Sequence, residues 1–327
     1  MRIALDAMGT DAAPVCEVAG AIAAAQADPD LNLVLVGDES RVRPELAKYP
    51  DAERISVVHA SEQITTDDSP ASALRKKPDS SIAVGLKLHK EGEVDAFISA
   101  GSTGAVMAGS MFVLRRLPGV DRPTVATALP TSKGPTLLLD AGANIECKPQ
   151  HLLQFAKLGT IYMQDLRGVE RPRVGLLNVG SEPGKGPEMV QEAFDLLAGS
   201  GLNFVGNVEG RDIIHHTCDV LVCDGFPGNI LLKFYESVAG FLVHNVRARL
   251  PEGDLDPEIE RFFQVFDYAE HGGAPLLGVD GVTIICHGGS PPQAIRSAIG
   301  VAARAVRSGL VDHMARELAS GTDHSHD

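Results

Sequence analysis

A three-layer αβα fold built on a mainly parallel sheet is the architecture this sequence predicts, and three observations predict it. Short, unbroken apolar runs alternate with helix-sized segments, the pattern of strands covered on both faces. The composition agrees: of 327 residues 44% are hydrophobic but only 5% aromatic, with 34 glycines and no tryptophan, so small and branched side chains carry the core. Glycine-bearing segments follow several of the runs, which puts the expected ligand site at the C-terminal edge of the strands.

The runs fall at 3–5, 33–36, 55–58, 96–98, 137–139, 174–177, 220–223 and 283–286. No repeat or low-complexity linker separates them, so a single α/β unit over 1–327 is expected. One stretch breaks the alternation: a helical hairpin excursion over 229–271. Its first helix carries Leu231, Phe234, Val238, Leu242 and Val246 on one stripe. Its second opens with Asp256 as N-cap before Pro257 and carries Ile259, Phe262, Phe263 and Phe266. Packing on the main domain, a dimer surface and an apolar groove for a chain-like ligand all fit these stripes. Residues 319–327 read as a disordered tail with solvated histidines.

Two segments pass from a buried run through glycine directly into a helix: 99–104, Ser-Ala-Gly-Ser-Thr-Gly, and 224–229, Asp-Gly-Phe-Pro-Gly-Asn. Unpaired N–H groups at a helix start, approached by glycine, form an anion site. Gly101, Ser102, Thr103, Gly104, Asp224, Gly228 and Asn229 are therefore candidates. Segments 140–144, ending in Asn144, and 287–290, with His287 and Ser290, repeat the pattern. The glycines serve close packing equally well, and the asparagines serve as caps. Lys185 stands between Gly184 and Gly186 at a helix start. Spacing and the missing Ser or Thr exclude a P-loop, leaving a compact cation suited to phosphate or an oxyanion, or else a solvated loop lysine. His215 and His216 read as structural.

A formal net charge of −14 argues against a nucleic-acid surface. Against that background the cluster Arg75, Lys76 and Lys77 is where an acidic protein partner or a phosphate would be drawn in, unless it is simply a solvated face. Five cysteines without a CxxC pair indicate neither a metal cluster nor a disulfide framework, and point to a reducing cytoplasm. No signal peptide, membrane-spanning run, GxSxG or HExxH pattern is present, so neither a cofactor nor a covalent intermediate is indicated. The expectation is a binder or enzyme of phosphorylated or acidic small molecules.

Several segments carry a family resemblance together: 5–9 (Leu-Asp-Ala-Met-Gly), 73–77 (Ala-Leu-Arg-Lys-Lys), 99–105, 140–144, 176–180 (Leu-Leu-Asn-Val-Gly) with Lys185 and Gly186, 206–210 (Gly-Asn-Val-Glu-Gly), 224–229 and 272–278 (Gly-Gly-Ala-Pro-Leu-Leu-Gly). In this order, from residue 3 to about 308, the chain resembles the PlsX-type phosphate acyltransferases of phospholipid synthesis. The resemblance implies reversible transfer of a fatty acyl group from acyl carrier protein to inorganic phosphate. The acyl phosphate would serve a membrane-bound glycerol-3-phosphate acyltransferase. It also implies a fold similar to phosphate acetyltransferases and isocitrate dehydrogenases, a homodimer, and loose attachment to the inner face of the membrane.

Under this resemblance Lys185 and Asn229 sit at the reacting centre, and Arg75, Lys76 and Lys77 dock the carrier protein. Gly101 to Gly104, Asn144, Asp224, Gly228, His287 and Ser290 bind substrate. A coenzyme A donor and a non-catalytic scaffold are the alternatives. The sequence departs from the family at Thr10, where glycine is usual, and at Ser102, where asparagine is usual, though serine still hydrogen-bonds. Residues 234–237, Phe-Tyr-Glu-Ser, replace a stretch that commonly ends Glu-Gly. The hairpin tip, 251–260, is acidic where relatives are apolar and basic, and an anionic leaflet repels such a tip.

Overall fold

The computed structural model of the protein describes residues 1–65, 68–247 and 272–320. In chain order its elements begin β1 (Arg2–Asp6), α1 (Val15–Ala27), β2 (Asn32–Gly37), α2 (Glu39–Leu46), β3 (Ile55–His59), α3 (Pro70–Lys76), α4 (Ser81–Lys90), β4 (Ala96–Ser99) and α5 (Thr103–Val113). There follow β5 (Thr124–Val125), β6 (Thr127–Leu129), β7 (Thr136–Leu139), α6 (Pro149–Arg167), β8 (Val174–Leu177), α7 (Glu188–Ala198), β9 (Phe204–Val208), β10 (Val220–Val222) and α8 (Gly225–Arg247). The last are β11 (Ala274–Leu277), β12 (Val282–Ile285), α9 (Pro292–Arg307) and α10 (Leu310–Ser320).

The α/β class holds, with two compact units in place of the one expected: Met1–Pro123 with His271–Asp327, and Thr124–Glu270. Each has its own sheet and therefore its own core. Neither boundary carries linker composition, so the division leaves no trace in the sequence.

In the first unit the strands run β3-β2-β1-β4-β12-β11, with β11 antiparallel to β12 and the other neighbours parallel. From β1 the chain moves outward to β2 and β3, then returns to the other side of β1 as β4. A crevice opens at such a reversal, outside the carboxyl ends of the two strands. The strands are buried on both faces, as at Ile3, Ala4, Leu5, Phe97 and Ile98, which is why they read as uninterrupted apolar runs.

In the second unit the order is β6-β7-β10-β8-β9, all parallel except β6. Its N-terminal edge is laced by charge. Asp219, just before β10, accepts from the Arg173 backbone N–H at 2.7 Å and from its guanidinium at 3.1 Å, while His216 Nε2 lies 3.0 Å from the same carboxylate. Burial alone would raise the Asp219 pKa; the Arg173 bonds overcome it and hold the carboxyl below the ordinary range. Thr136 at the start of β7 donates its hydroxyl to the Cys218 carbonyl at 2.7 Å. Three parallel strands are thus tied in register at one end, and His216 is structural as expected.

All eight predicted runs are strands. The four other strands among the described residues escaped notice for physical reasons: β9 contains Gly206 and Asn207, β11 contains Pro275, and β5 and β6 are only 2 and 3 residues long. The first hairpin helix begins at Gly225 instead of 229. The second hairpin helix and the tip 251–260 lie outside the described residues, as does 321–327, while 319 and 320 close α10.

Candidate active site

Strands β7, β10 and β8 lie side by side and parallel, so the segments following them leave the same edge of the second unit's sheet. That edge gathers Asn144, Asp224, Gly228, Asn229 and Lys185. Asp140, at the end of β7, organises it. Its fully buried carboxyl accepts from Thr124 Oγ1 at 3.1 Å, Val125 N at 3.0 Å, Asn144 N at 2.6 Å and Asn144 Nδ2 at 3.1 Å. Burial raises its pKa against the pull of those donors. The Asn144 amide is thereby engaged as a brace.

The start of α8 packs on the same strand end. A side chain at Gly228 would place its first carbon 1.9 Å from the Asp140 carbonyl oxygen, so only glycine brings the helix in this far. This contact corrects one expectation. The first N–H groups of α8 are not open to an anion, because Gly225 donates to the Asn144 carbonyl at 2.7 Å, Phe226 to Asp224 Oδ1 at 2.9 Å and Gly228 to the Asp224 carbonyl at 3.2 Å, and Pro227 has no N–H. Asn229 is one turn inside the helix and caps nothing. Its half-buried side chain lies against Gly142.

Lys185 sits on the loop after β8, whose shape is held by Asn178: Nδ2 donates to the Lys185 carbonyl at 3.0 Å and Oδ1 accepts from Val179 N at 2.8 Å. The lysine side chain is 51% exposed, and its ammonium meets Glu182 at only 3.9 Å. An exposed pair at that distance restrains the cation weakly.

In the first unit β4 and β12 are parallel neighbours, with Ile285 opposite Ser99. Gly101, Ser102, Thr103 and Gly104 therefore leave the same edge as His287 and Ser290. Ser102 caps α5, its hydroxyl accepting from Ala105 N at 3.4 Å, a role asparagine fills equally. Gly101 N donates to Ser99 Oγ at 3.0 Å. His287 is exposed, with Nδ1 accepting from Gly289 N at 3.0 Å; Ser290 is 2% exposed and its hydroxyl has no partner.

Sequence reasoning missed two buried acids beneath this edge. Asp6 accepts from Ser99 Oγ at 2.6 Å and Met8 N at 2.9 Å, and burial raises its pKa. Glu17 is wholly buried in α1 and accepts from Thr10 N at 2.7 Å; burial pushes its pKa up to about 7, with the Asp6 charge adding to the rise. A lone acid in the apolar stretch Val15-Cys16-Glu17-Val18-Ala19 was the available signal. Thr10 needs no left-handed backbone.

Arg75 and Lys76 are exposed in the last turn of α3. Lys77 is not equivalent to them: its ammonium bonds Asp68 Oδ2 at 2.6 Å and the Gln63 carbonyl at 2.9 Å. Among the described residues no cluster of His, Cys, Asp and Glu is arranged to hold a metal ion, and no helix is long and apolar enough to cross a membrane. Burial drives the Cys218 and Cys286 thiols up to about 12, so neither supplies a thiolate nucleophile near neutral pH.

The fold is that of a phosphotransacetylase: it matches the EutD phosphotransacetylase from Staphylococcus aureus with a TM-score of 0.63 and 16% identity, covering 94% of each chain. The chain belongs to the family described as fatty acid synthesis protein, whose sequence pattern spans residues 1–313, and with its relatives it is an enzyme of the phosphate acyltransferase class. Among them are the phosphate acyltransferase of Pelotomaculum thermopropionicum, 46% identical over 98% of this chain and 96% of that one, and that of Heliobacterium modesticaldum, 49% identical over 95% and 96%.

Two stability predictions follow from these contacts. Gly228→Ala should lower stability by about 3 kcal/mol or more, the upper end of overpacking costs, because the neighbour is backbone; an unchanged thermal midpoint would show that α8 can retreat freely. For Glu17, the folded protein keeps a proton that the unfolded chain releases near its ordinary 4.5. Stability is therefore lost as pH rises from about 4.5 to 7, a cost on the order of 3 kcal/mol that persists above. Glu17→Gln should gain in melting temperature over the parent at pH 8 relative to pH 5, and an equal difference at both would place the Glu17 pKa near normal.

Proposed function

We propose that the protein transfers a fatty acyl group from acyl carrier protein thioester to inorganic phosphate, releasing acyl phosphate. The observation that carries the reading is near-full-length identity of 46–49% to phosphate acyltransferases, supported by a weakly restrained lysine on the same sheet edge as Asn229. Phosphate already presents a nucleophilic oxygen at neutral pH, so positioning and charge stabilisation suffice. A phosphate oxygen attacks the thioester carbonyl carbon and forms the new C–O bond. The Lys185 ammonium and Asn229 amide stabilise the tetrahedral oxyanion. The C–S bond then breaks, and sulfur leaves as thiolate, taking a proton from water since thiol pKa values lie near about 8.5.

Within the first unit, the groups suited to phosphate are the N–H groups of Ser102, Thr103 and Gly104 at the start of α5, with His287 and the Ser290 hydroxyl. Asp224, Gly228 and Asn144 hold α8 in place beside Asn229. Arg75 and Lys76 offer the unspent positive charge for the carrier protein. The exposed stripe Phe226, Ile230, Phe234 and Phe241 of α8 is the surface assigned to a second copy of the chain. On this reading the reaction runs in the cytoplasm, with loose attachment to the inner face of the membrane disfavoured at the acidic hairpin tip 251–260, which lies outside the described residues.

Incubation with acyl carrier protein thioester and labelled phosphate should give labelled acyl phosphate, faster than with acyl coenzyme A; binding of the carrier without product would favour a scaffold. In that assay Lys185→Ala should cut turnover at least about a hundredfold, the scale of one lost oxyanion donor, and near-normal turnover would remove Lys185 from the mechanism. Arg75→Glu with Lys76→Glu should raise the KM for the carrier thioester and flatten its salt dependence while leaving the phosphate KM alone. No change in either quantity would move the docking face elsewhere.

A further inference from the structure

The buried Ser290 hydroxyl of the first unit lacks a hydrogen-bond partner, and Glu17 Oε2 and Thr10 Oγ1, which interact with each other, have no other well-formed bond. Native interiors seldom leave such groups unmatched. The junction they belong to is built by three segments. The loop after β1 is bonded to the loop after β12, Asp11 N donating to the Gly288 carbonyl at 2.8 Å. Behind the first loop Glu17, wholly buried, takes the Thr10 N–H at 2.7 Å.

The direction of Glu17 follows from its helix. Gly20 lies three residues on, hence on the same face, and a carbon added there would sit 2.6 Å from Ile295 Cβ and 2.8 Å from the Pro292 carbonyl. That face of α1 therefore packs on the first turn of α9, and Glu17, one turn earlier, lies toward the segment that precedes α9, with Cys286 within reach of its charge. The charge of Glu17 contributes to the rise of the Cys286 thiol pKa, which marks their proximity.

We propose that Glu17 is a positioning residue for phosphate, holding the loop after β1 against the Ser290 loop and setting, through its own ionisation, how well that loop accepts a dianion. The proposal rests on the assignment of phosphate to Ser290 made above. With a proton, Glu17 is a neutral support. Without it, a buried negative charge stands behind the groups that must hold another anion, in surroundings that screen poorly. Its pKa, pushed up to about 7 by burial, puts that change at physiological pH.

The titratable groups facing Glu17 do not cancel this effect. From β1 there is Asp6, whose charge opposes ionisation, from β12 Cys286, and from its own helix Cys16. The two loops bring Asp11 and His287. Arg41 of α2 is committed to the Ala13 carbonyl at 2.7 Å, and α9 presents Ile295 and the Pro292 carbonyl.

The test is the phosphate KM of the full-length enzyme and of Glu17→Gln from pH 6 to 8.5, with the acyl-donor KM as control. Dividing parent by variant cancels the titration of phosphate itself. The ratio should climb at least about fivefold across the range while the donor KM ratio stays level. A phosphate ratio that does not change with pH overturns the proposal. Glu17→Met, which likewise cannot ionise, covers the case of a poorly folding glutamine variant: the ratio of parent to Met phosphate KM should also climb with pH, and a flat one is again a refutation. Ser290→Ala separates the phosphate assignment from the role of Glu17. If it raises the phosphate KM at every pH and Glu17→Gln shows no pH-dependent ratio, only the role of Glu17 falls; if it leaves the phosphate KM unchanged, the phosphate assignment falls and the Glu17 proposal with it.

Discussion

The approach of α8 to the carbonyl oxygen of Asp140, open only to a residue without a side chain, is the contact on which the second unit's site depends. Gly228 lets a helix seat directly on a strand end, and the seating fixes what surrounds it. The Asp140 carboxyl gathers the following loop through Asn144, the Asn144 carbonyl takes the Gly225 N–H, and Asp224 takes two more. Asn229 emerges one turn along a helix that cannot slide. The backbone groups usually credited with binding anions at a helix start are consumed in building the support, which leaves the side chains of Lys185 and Asn229 as the groups proposed to act.

The two sheet edges handle charge differently. At the second unit's edge a cation is left loose: Lys185 is anchored through its backbone while its ammonium remains about half exposed. At the first unit's edge acids are buried beneath the surface proposed to bind phosphate, with Asp6 and Glu17 both driven towards their neutral forms. Neutral carboxyls can lie under such a surface without opposing it, whereas ionised ones would. Burial of acids is destabilising once they ionise, and its presence here fits a surface whose affinity for anions depends on proton uptake.

Much of this was legible in the chain. Apolar runs buried on both faces announce themselves, and every predicted run is a strand. The loops following those runs were expected on one edge of one sheet; parallel neighbours do deliver their C-termini to one side, but there are two sheets, so Lys185 falls with Asn229 in the second unit and Ser102 with His287 and Ser290 in the first. What stayed hidden depends on partners distant in sequence. Asn144 reads as a site residue until Asp140 is seen to occupy its amide, Lys77 reads like Arg75 until Asp68 is seen beside it, and the start of α8 reads as an open anion site until its donors are counted. Pro275, Gly206 and Asn207 disguised two strands, since their local preference is overridden by pairing.

The charged lacing at the opposite end of the second sheet has a consequence for how such an enzyme can change. Arg173, His216, Asp219 and Thr136 fix the alignment of β7, β8 and β10 at the end away from the candidate site. The strands are thereby held like staves hooped at one rim. Insertions or replacements in the loops at the other rim can reshape substrate preference without the staves slipping past each other, so new specificities are open to this scaffold by drift in a few exposed turns.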